Sequence, residues 1–193
     1  MPYLRSALFG DGGTTRRAGL PQSTNETVMT RLRNTLALLL LFALCPTAWA
    51  QLPAVRLKDT GGREVQTDTL ANGGRPFLIS FFATWCKPCL SELAAIHDVY
   101  PDWQAETGVR LIAVSIDEAQ NAQRVKPLAD AAGWDYEVLL DTNSEFRRAM
   151  GVQGIPHIFV VDGKGRVALS RSGYAEGSEE EVIEKVRELI NRP

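Results

Sequence analysis

Two cysteines three residues apart, Cys86 and Cys89, are where the residue types and spacing of this 193-residue chain most directly suggest chemistry. A disulfide across so short a loop restrains the unfolded chain little, because the entropic gain grows with loop length, so its value must lie in reactivity. A thiol attacks as thiolate, and thiolate is favoured at a helix N-terminus and beside positive charge. Cys86 has both: Lys87 is its neighbour, and the apolar residues Leu90, Leu93, Ile96 and Tyr100 recur behind it at helical spacing. Pro88 is tolerated in a first helical turn, whose amides have no partner within the helix. Cysteines in such places titrate at roughly pH 3.5 to 7.5. Cys89, one turn further on, is placed to attack a mixed disulfide on Cys86 and release a reduced substrate. Half of a zinc site is the competing reading, but it needs two further Cys or His ligands, and residues 51–193 offer only His97 and His157.

The elements that must position this pair are legible in outline. Val55 to Lys58 and Glu64 to Thr67, around the turn Asp59-Thr60-Gly61-Gly62, read as an opening hairpin. Phe77 to Phe82 is nearly all apolar, as a central strand buried on both faces requires. A helix is expected from Lys87 to about Tyr100, a strand over Leu111 to Ile116, and a helix over Ala119 to Ala132 that Pro127 kinks and Gly133 ends. Tyr136 to Leu140 is a third buried strand, followed by a short helix, Glu145 to Met150, with Ser144 as its N-cap and Gly151 as its stop. His157 to Val161 and Arg166 to Ser170 form a hairpin around Asp162-Gly163-Lys164-Gly165, whose glycines allow positive φ. Ser178 and Glu181 have the spacing of a capping box for a last helix running to about Asn191. Strands alternating with helices imply an α/β fold, a mixed sheet covered on both faces, with no internal repeat and no second domain.

The front of the chain reads differently. Residues 1–28 are rich in Gly, Thr, Arg and Ser without apolar periodicity and read as disordered or as an extension upstream of the true start. From Met29 come a basic segment with Arg31 and Arg33, an apolar run from Leu36 to Cys45, and Ala48-Trp49-Ala50, the three parts of a signal peptide. The run is about ten residues where a membrane span needs about 20, so cleavage before Gln51 is favoured over an uncleaved anchor. Lipidation of Cys45 is disfavoured by the bulky Phe42 and Leu44 before it. The domain of residues 51–193 then keeps two cysteines, with 16 Lys and Arg against 21 Asp and Glu, a net charge of 16 minus 21, or −5. That balance argues against nucleic acid as a partner.

Trp85-Cys86-Lys87-Pro88-Cys89 after a buried strand, with Gly154-Ile155-Pro156 leading into the strand at His157, resembles the thioredoxin-like superfamily. The signal peptide, the extra helix and strand between Asp117 and Asp141, and Cys-Lys-Pro-Cys-Leu-Ser-Glu resemble its exported TlpA/ResA-type reductases. The resemblance spans about residues 53–190. It implies a thioredoxin-like fold with an N-terminal hairpin and a central αβ insertion, and a cis peptide bond before Pro156. It also implies a substrate groove in which the Ile155 backbone pairs with the client chain, and Trp85 on the rim of the site. Glu92, three residues after Cys89, would share a helical face with it and accept a proton from the buried thiol; its competing reading is a solvated helix glutamate.

Related reductases carry a small hydroxyl residue after the proline, where this chain has His157. A protonated imidazole there would stabilise the Cys86 thiolate and make the pair more oxidising; alternatively the ring points into a polar pocket. His97 reads as a surface or packing residue. The activity implied is reduction of protein disulfides in the periplasm, by a monomer without cofactor or metal, fed by a membrane thiol-disulfide donor, with clients such as apocytochrome c or copper-centre assembly proteins. Two other readings use the same cysteines: a disulfide-forming oxidant and a Cu(I)-binding chaperone. A peroxidase is disfavoured, since such relatives place a lone reactive cysteine in a different motif. N-terminal sequencing is expected to find a precursor that begins at Met29 and an exported chain that begins at Gln51; a precursor beginning at Met1 would overturn the assignment of residues 1–28.

Overall fold

A computed structural model describes residues 51–191. Residues 29–50, read above as a signal peptide, and the segment before them lie outside the described residues. The described part builds one seven-stranded mixed sheet in the order β2-β1-β5-β4-β3-β6-β7. The strands are β1 (Arg56–Asp59), β2 (Glu64–Gln66), β3 (Phe77–Phe82), β4 (Arg110–Ser115), β5 (Glu137–Leu140), β6 (His157–Val161) and β7 (Val167–Ser172). The helices are α1 (Lys87–Thr107), α2 (Ala119–Ala122), α3 (Val125–Ala131), α4 (Glu145–Ala149) and α5 (Glu179–Asn191). Parallel pairing joins β3 to β4 and β4 to β5, and the remaining neighbours are antiparallel.

All six residues of β3 are buried, so both faces of the sheet are covered there. Alternation along the strand sends Phe81 to one face, where it meets Phe146 of α4 at 5.4 Å between ring centroids. Ser80 and Phe82 point to the other, toward Glu92 of α1 and the indole of Trp134. Helices on both faces and the αβ insertion between β4 and α4 match the expected architecture.

Four local expectations are corrected. α1 does not stop at Tyr100 but runs through Pro101 to Thr107. Its buried stripe continues past the proline through Trp103 and Thr107, and Gly108, at φ 67°, closes the helix, so packing outweighs the one backbone bond that Pro101 cannot make. The expected single helix over Ala119 to Ala132 is two, broken at Gln123 and Arg124. Pro127 accordingly sits in the first turn of α3, where its missing N–H costs nothing. Ser144 precedes α4 but caps nothing with its side chain; it adopts φ 53°, and the Asp141 carboxylate accepts from the N–H groups of Phe146 and Arg147 instead. The capping box gives way to other contacts: Ser178 Oγ accepts from the Ala175 N–H, and Glu181 lies 3.8 Å from Arg171.

The two glycines of the β6–β7 loop serve different ends. Gly165 has φ 78°, whereas Gly163 passes so close to residue 74 that a Cβ would stand 1.8 Å from the Gly74 carbonyl oxygen. Gly163→Ala is therefore expected to destabilise the domain by about 1–3 kcal/mol through forced displacement of backbone, read as a lowered urea midpoint with an unchanged slope.

Candidate active site

β3 ends at Phe82 and hands over to α1 through a tight turn in which the Cys86 N–H donates to the Ala83 carbonyl at 3.0 Å. Cys86 is the N-cap of α1: its backbone is extended and its Sγ accepts from the Cys89 N–H at 3.3 Å. Sulfur thus occupies the place where a helix terminus offers unpaired donors and the positive end of its dipole. Cys86 and Cys89 form a disulfide, with Cα atoms 5.3 Å apart. Cys86 is 6% exposed and Cys89 not at all, whereas Trp85 beside them is 65% exposed.

The turn is held from below by a residue that sequence reasoning missed. Asp117, buried just past β4, accepts from the Thr84 N–H at 2.8 Å and the Thr84 hydroxyl at 2.7 Å, and the Ser115 hydroxyl donates to it at 2.8 Å. The Ile116 N–H also donates to the Phe82 carbonyl. Nothing local in the sequence ties Asp117 to Thr84; the link exists because β3 and β4 run parallel in register, which brings their C-terminal ends together.

The Ile155–Pro156 bond is cis, as the resemblance implied. Pro156 is buried and Ile155 partly so, and the Gly173 N–H donates to the Pro156 carbonyl, which ties this loop to the end of β7.

Glu92 is fully buried, which corrects the reading of it as a solvated helix glutamate. Its Oε1 accepts from Arg171 Nη2 at 2.9 Å and its Oε2 from the Ser80 hydroxyl at 3.3 Å. Burial pushes its carboxyl above the usual range, while Arg171 and Ser80 pull it back down. Arg171 and Ser80 are the other residues sequence reasoning passed over. Ser80 left a signal, a hydroxyl inside the apolar run Phe77 to Phe82; Arg171 left none, since the inward face of β7 is not apparent without the sheet.

His157 belongs to the opposite face. Its ring packs against Phe159 at 4.5 Å between centroids, and its Nε2 lies 2.9 Å from Ser170 Oγ. Burial holds its pKa below the ordinary 6.5, favouring the neutral ring. His97 packs edge-on against Tyr136, as a packing residue should.

A helix-capping Cys-x-x-Cys disulfide following β3, with a cis-proline loop leading into the neighbouring strand β6, on a mixed sheet of this order, defines a thioredoxin-like thiol-disulfide oxidoreductase. The AhpC/TSA family model matches residues 49–170, and the chain belongs to that family. It is 30% identical over 149 residues to the thiol-disulfide oxidoreductase ResA of Geobacillus thermodenitrificans, a match covering 70% of this chain and 83% of that one. It is likewise 30% identical over 122 residues to the thiol:disulfide interchange protein DsbE of Haemophilus influenzae, covering 63% of this chain and 64% of that relative. An uncharacterized thioredoxin-like protein from Porphyromonas gingivalis, solved in solution, superposes with a TM-score of 0.67 over 74% of this chain and 93% of its own, at 65% identity.

Because His157 is harder to protonate folded than unfolded, the unfolded chain takes up the proton first as pH falls below 6.5. Its contribution to stability is complete above that value and is lost below it. His157→Gln is expected to flatten the decline in urea midpoint between neutral pH and about pH 5; an unchanged slope would contradict the burial of the ring.

Proposed function

We propose that this chain is an exported reductase of protein disulfides, with Cys86 as the attacking and Cys89 as the resolving sulfur. The observation that carries the reading is the asymmetry of the pair: Cys86 caps α1, keeps 6% exposure and follows the exposed Trp85 in sequence, whereas Cys89 is wholly buried one turn in. In the dithiol form the Cys86 thiolate attacks a client disulfide, forming a mixed disulfide and releasing one client sulfur. The Cys89 thiol then attacks Cys86, its proton passes to Glu92, and the second client sulfur leaves with the electron pair. The client gains two electrons and the enzyme ends as the Cys86–Cys89 disulfide. The Ile155 backbone before the cis-proline offers an edge along which an extended client segment pairs, with His157 and Trp85 flanking it.

Export rests on the signal-peptide pattern of residues 29–50. Among the described residues no helix is long and apolar enough to cross a membrane. An exported protein is cut off from cytosolic reductants, so re-reduction falls to a membrane thiol-disulfide donor; cytochrome c maturation and copper-centre assembly are client systems of matching chemistry. The reductant direction is favoured over the oxidant because the one feature that pointed to an oxidant, a cationic His157, is opposed by burial of the ring and its place beside Ser170.

Cys89→Ser is expected to accumulate client proteins as mixed disulfides on Cys86, and Cys86→Ser to trap almost none, both read by non-reducing electrophoresis. Equal trapping by the two variants would overturn the assignment of roles. A reduction potential toward the −270 mV of thioredoxin supports the reductase, and one near −120 mV the oxidant.

A further inference from the structure

A carboxylate with no exposure protonates unless something holds its charge. Around Glu92 the sheet supplies one specific cation. The registers align Ser80 of β3, Ile158 of β6 and Arg171 of β7 in a single row. The hydrogen bonds of Ser80 and Arg171 to Glu92 place that row under α1. Two strand spacings separate the ends of the row, about 10 Å, and Glu92 lies over the middle with one oxygen held from each end. Arg171 is long enough to reach across Ile158, and its own position is fixed: its side chain is 13% exposed and its Nη1 donates to the Ser178 carbonyl.

The other groups acting on Glu92 oppose its charge or are neutral. Glu179 of α5 and Tyr174 of the β7–α5 loop lie within electrostatic reach of it. Glu181 of α5 competes for the same guanidinium at 3.8 Å, and Cys89 precedes Glu92 on its own helix.

We propose that Arg171 is the positioning residue for the Glu92 carboxylate, holding it ionised and oriented beneath the cysteines so that it takes the proton Cys89 gives up during resolution. This rests on the reading of Glu92 as proton acceptor. The step balances: the Cys89 S–H bond breaks and its proton goes to Glu92, the Cys86–Cys89 bond forms, and the bond between Cys86 and the client breaks with the electron pair on the client thiolate. Arg171 changes neither charge nor bonding.

The test reacts reduced protein with an aromatic disulfide whose released thiolates are coloured and follows the second, resolving release across pH. Arg171→Met is expected to move the midpoint of that profile up by about one to three pH units, as loss of an adjacent cation does for a carboxylate. Arg171→Gln, which keeps donors without charge, should do the same, and Arg171→Lys should return the midpoint most of the way to that of the unaltered protein. Glu92→Gln should abolish the inflection, and adding Arg171→Met to it should move nothing further, because the two act as one unit. An unshifted Arg171→Met profile beside a flattened Glu92→Gln profile would overturn the role of Arg171 alone. An unchanged Glu92→Gln profile would overturn the proton-acceptor reading, and this inference with it. Equal slowing by Arg171→Met in both backgrounds would show a merely structural role.

Discussion

The first turn of α1 has a sulfur where most helices have an oxygen. Cys86 Sγ accepts the Cys89 N–H, and through that contact the helix terminus becomes the environment of the thiol. Reactivity therefore depends on where the helix begins, and that point is set by tertiary bonds. β3 must end at Phe82, the turn must close on Ala83, and Thr84 must be tied down by Asp117 from the neighbouring strand. The Cys86 thiol owes its placement to the parallel β3–β4 pair as much as to its own sequence neighbours.

The sheet then separates two kinds of chemistry. On the α1 face lie Cys89 and Glu92, the latter accepting from Ser80 and Arg171 inside an otherwise apolar layer. On the other face His157 rests on Phe159 beside Ser170, near the Phe81–Phe146 pair. Although His157 follows Pro156 directly, the pleat turns its ring away from the face that holds Glu92. A residue suspected of tuning the thiolate by charge is thus placed where burial favours its uncharged form.

A buried ion pair is weak evidence for stability, because desolvation offsets much of the attraction. Its presence under a redox pair makes more sense as chemistry. The cost of burying Glu92 raises its affinity for a proton, and the Arg171 contact limits the rise.

Much of this was written locally. The Cys-x-x-Cys spacing, the apolar run before it, the helical stripe after it and the Ile155-Pro156 dipeptide before a strand are short-range patterns, and each became the element expected of it, because backbone period and cap chemistry act over a few residues. The missed features share a different origin. α1 outlasted Pro101 because Trp103 and Thr107 had a core to fill, and Asp141 displaced Ser144 as the cap of α4 because the end of β5 set it there. Glu92 could be picked out by its offset from Cys89, but whether it was solvated or buried depended on an arginine 79 residues away. Sequence determines which residues can react and on which local element each stands; only the packed sheet decides which charges face one another, since strand register is set by long-range pairing that no single segment contains.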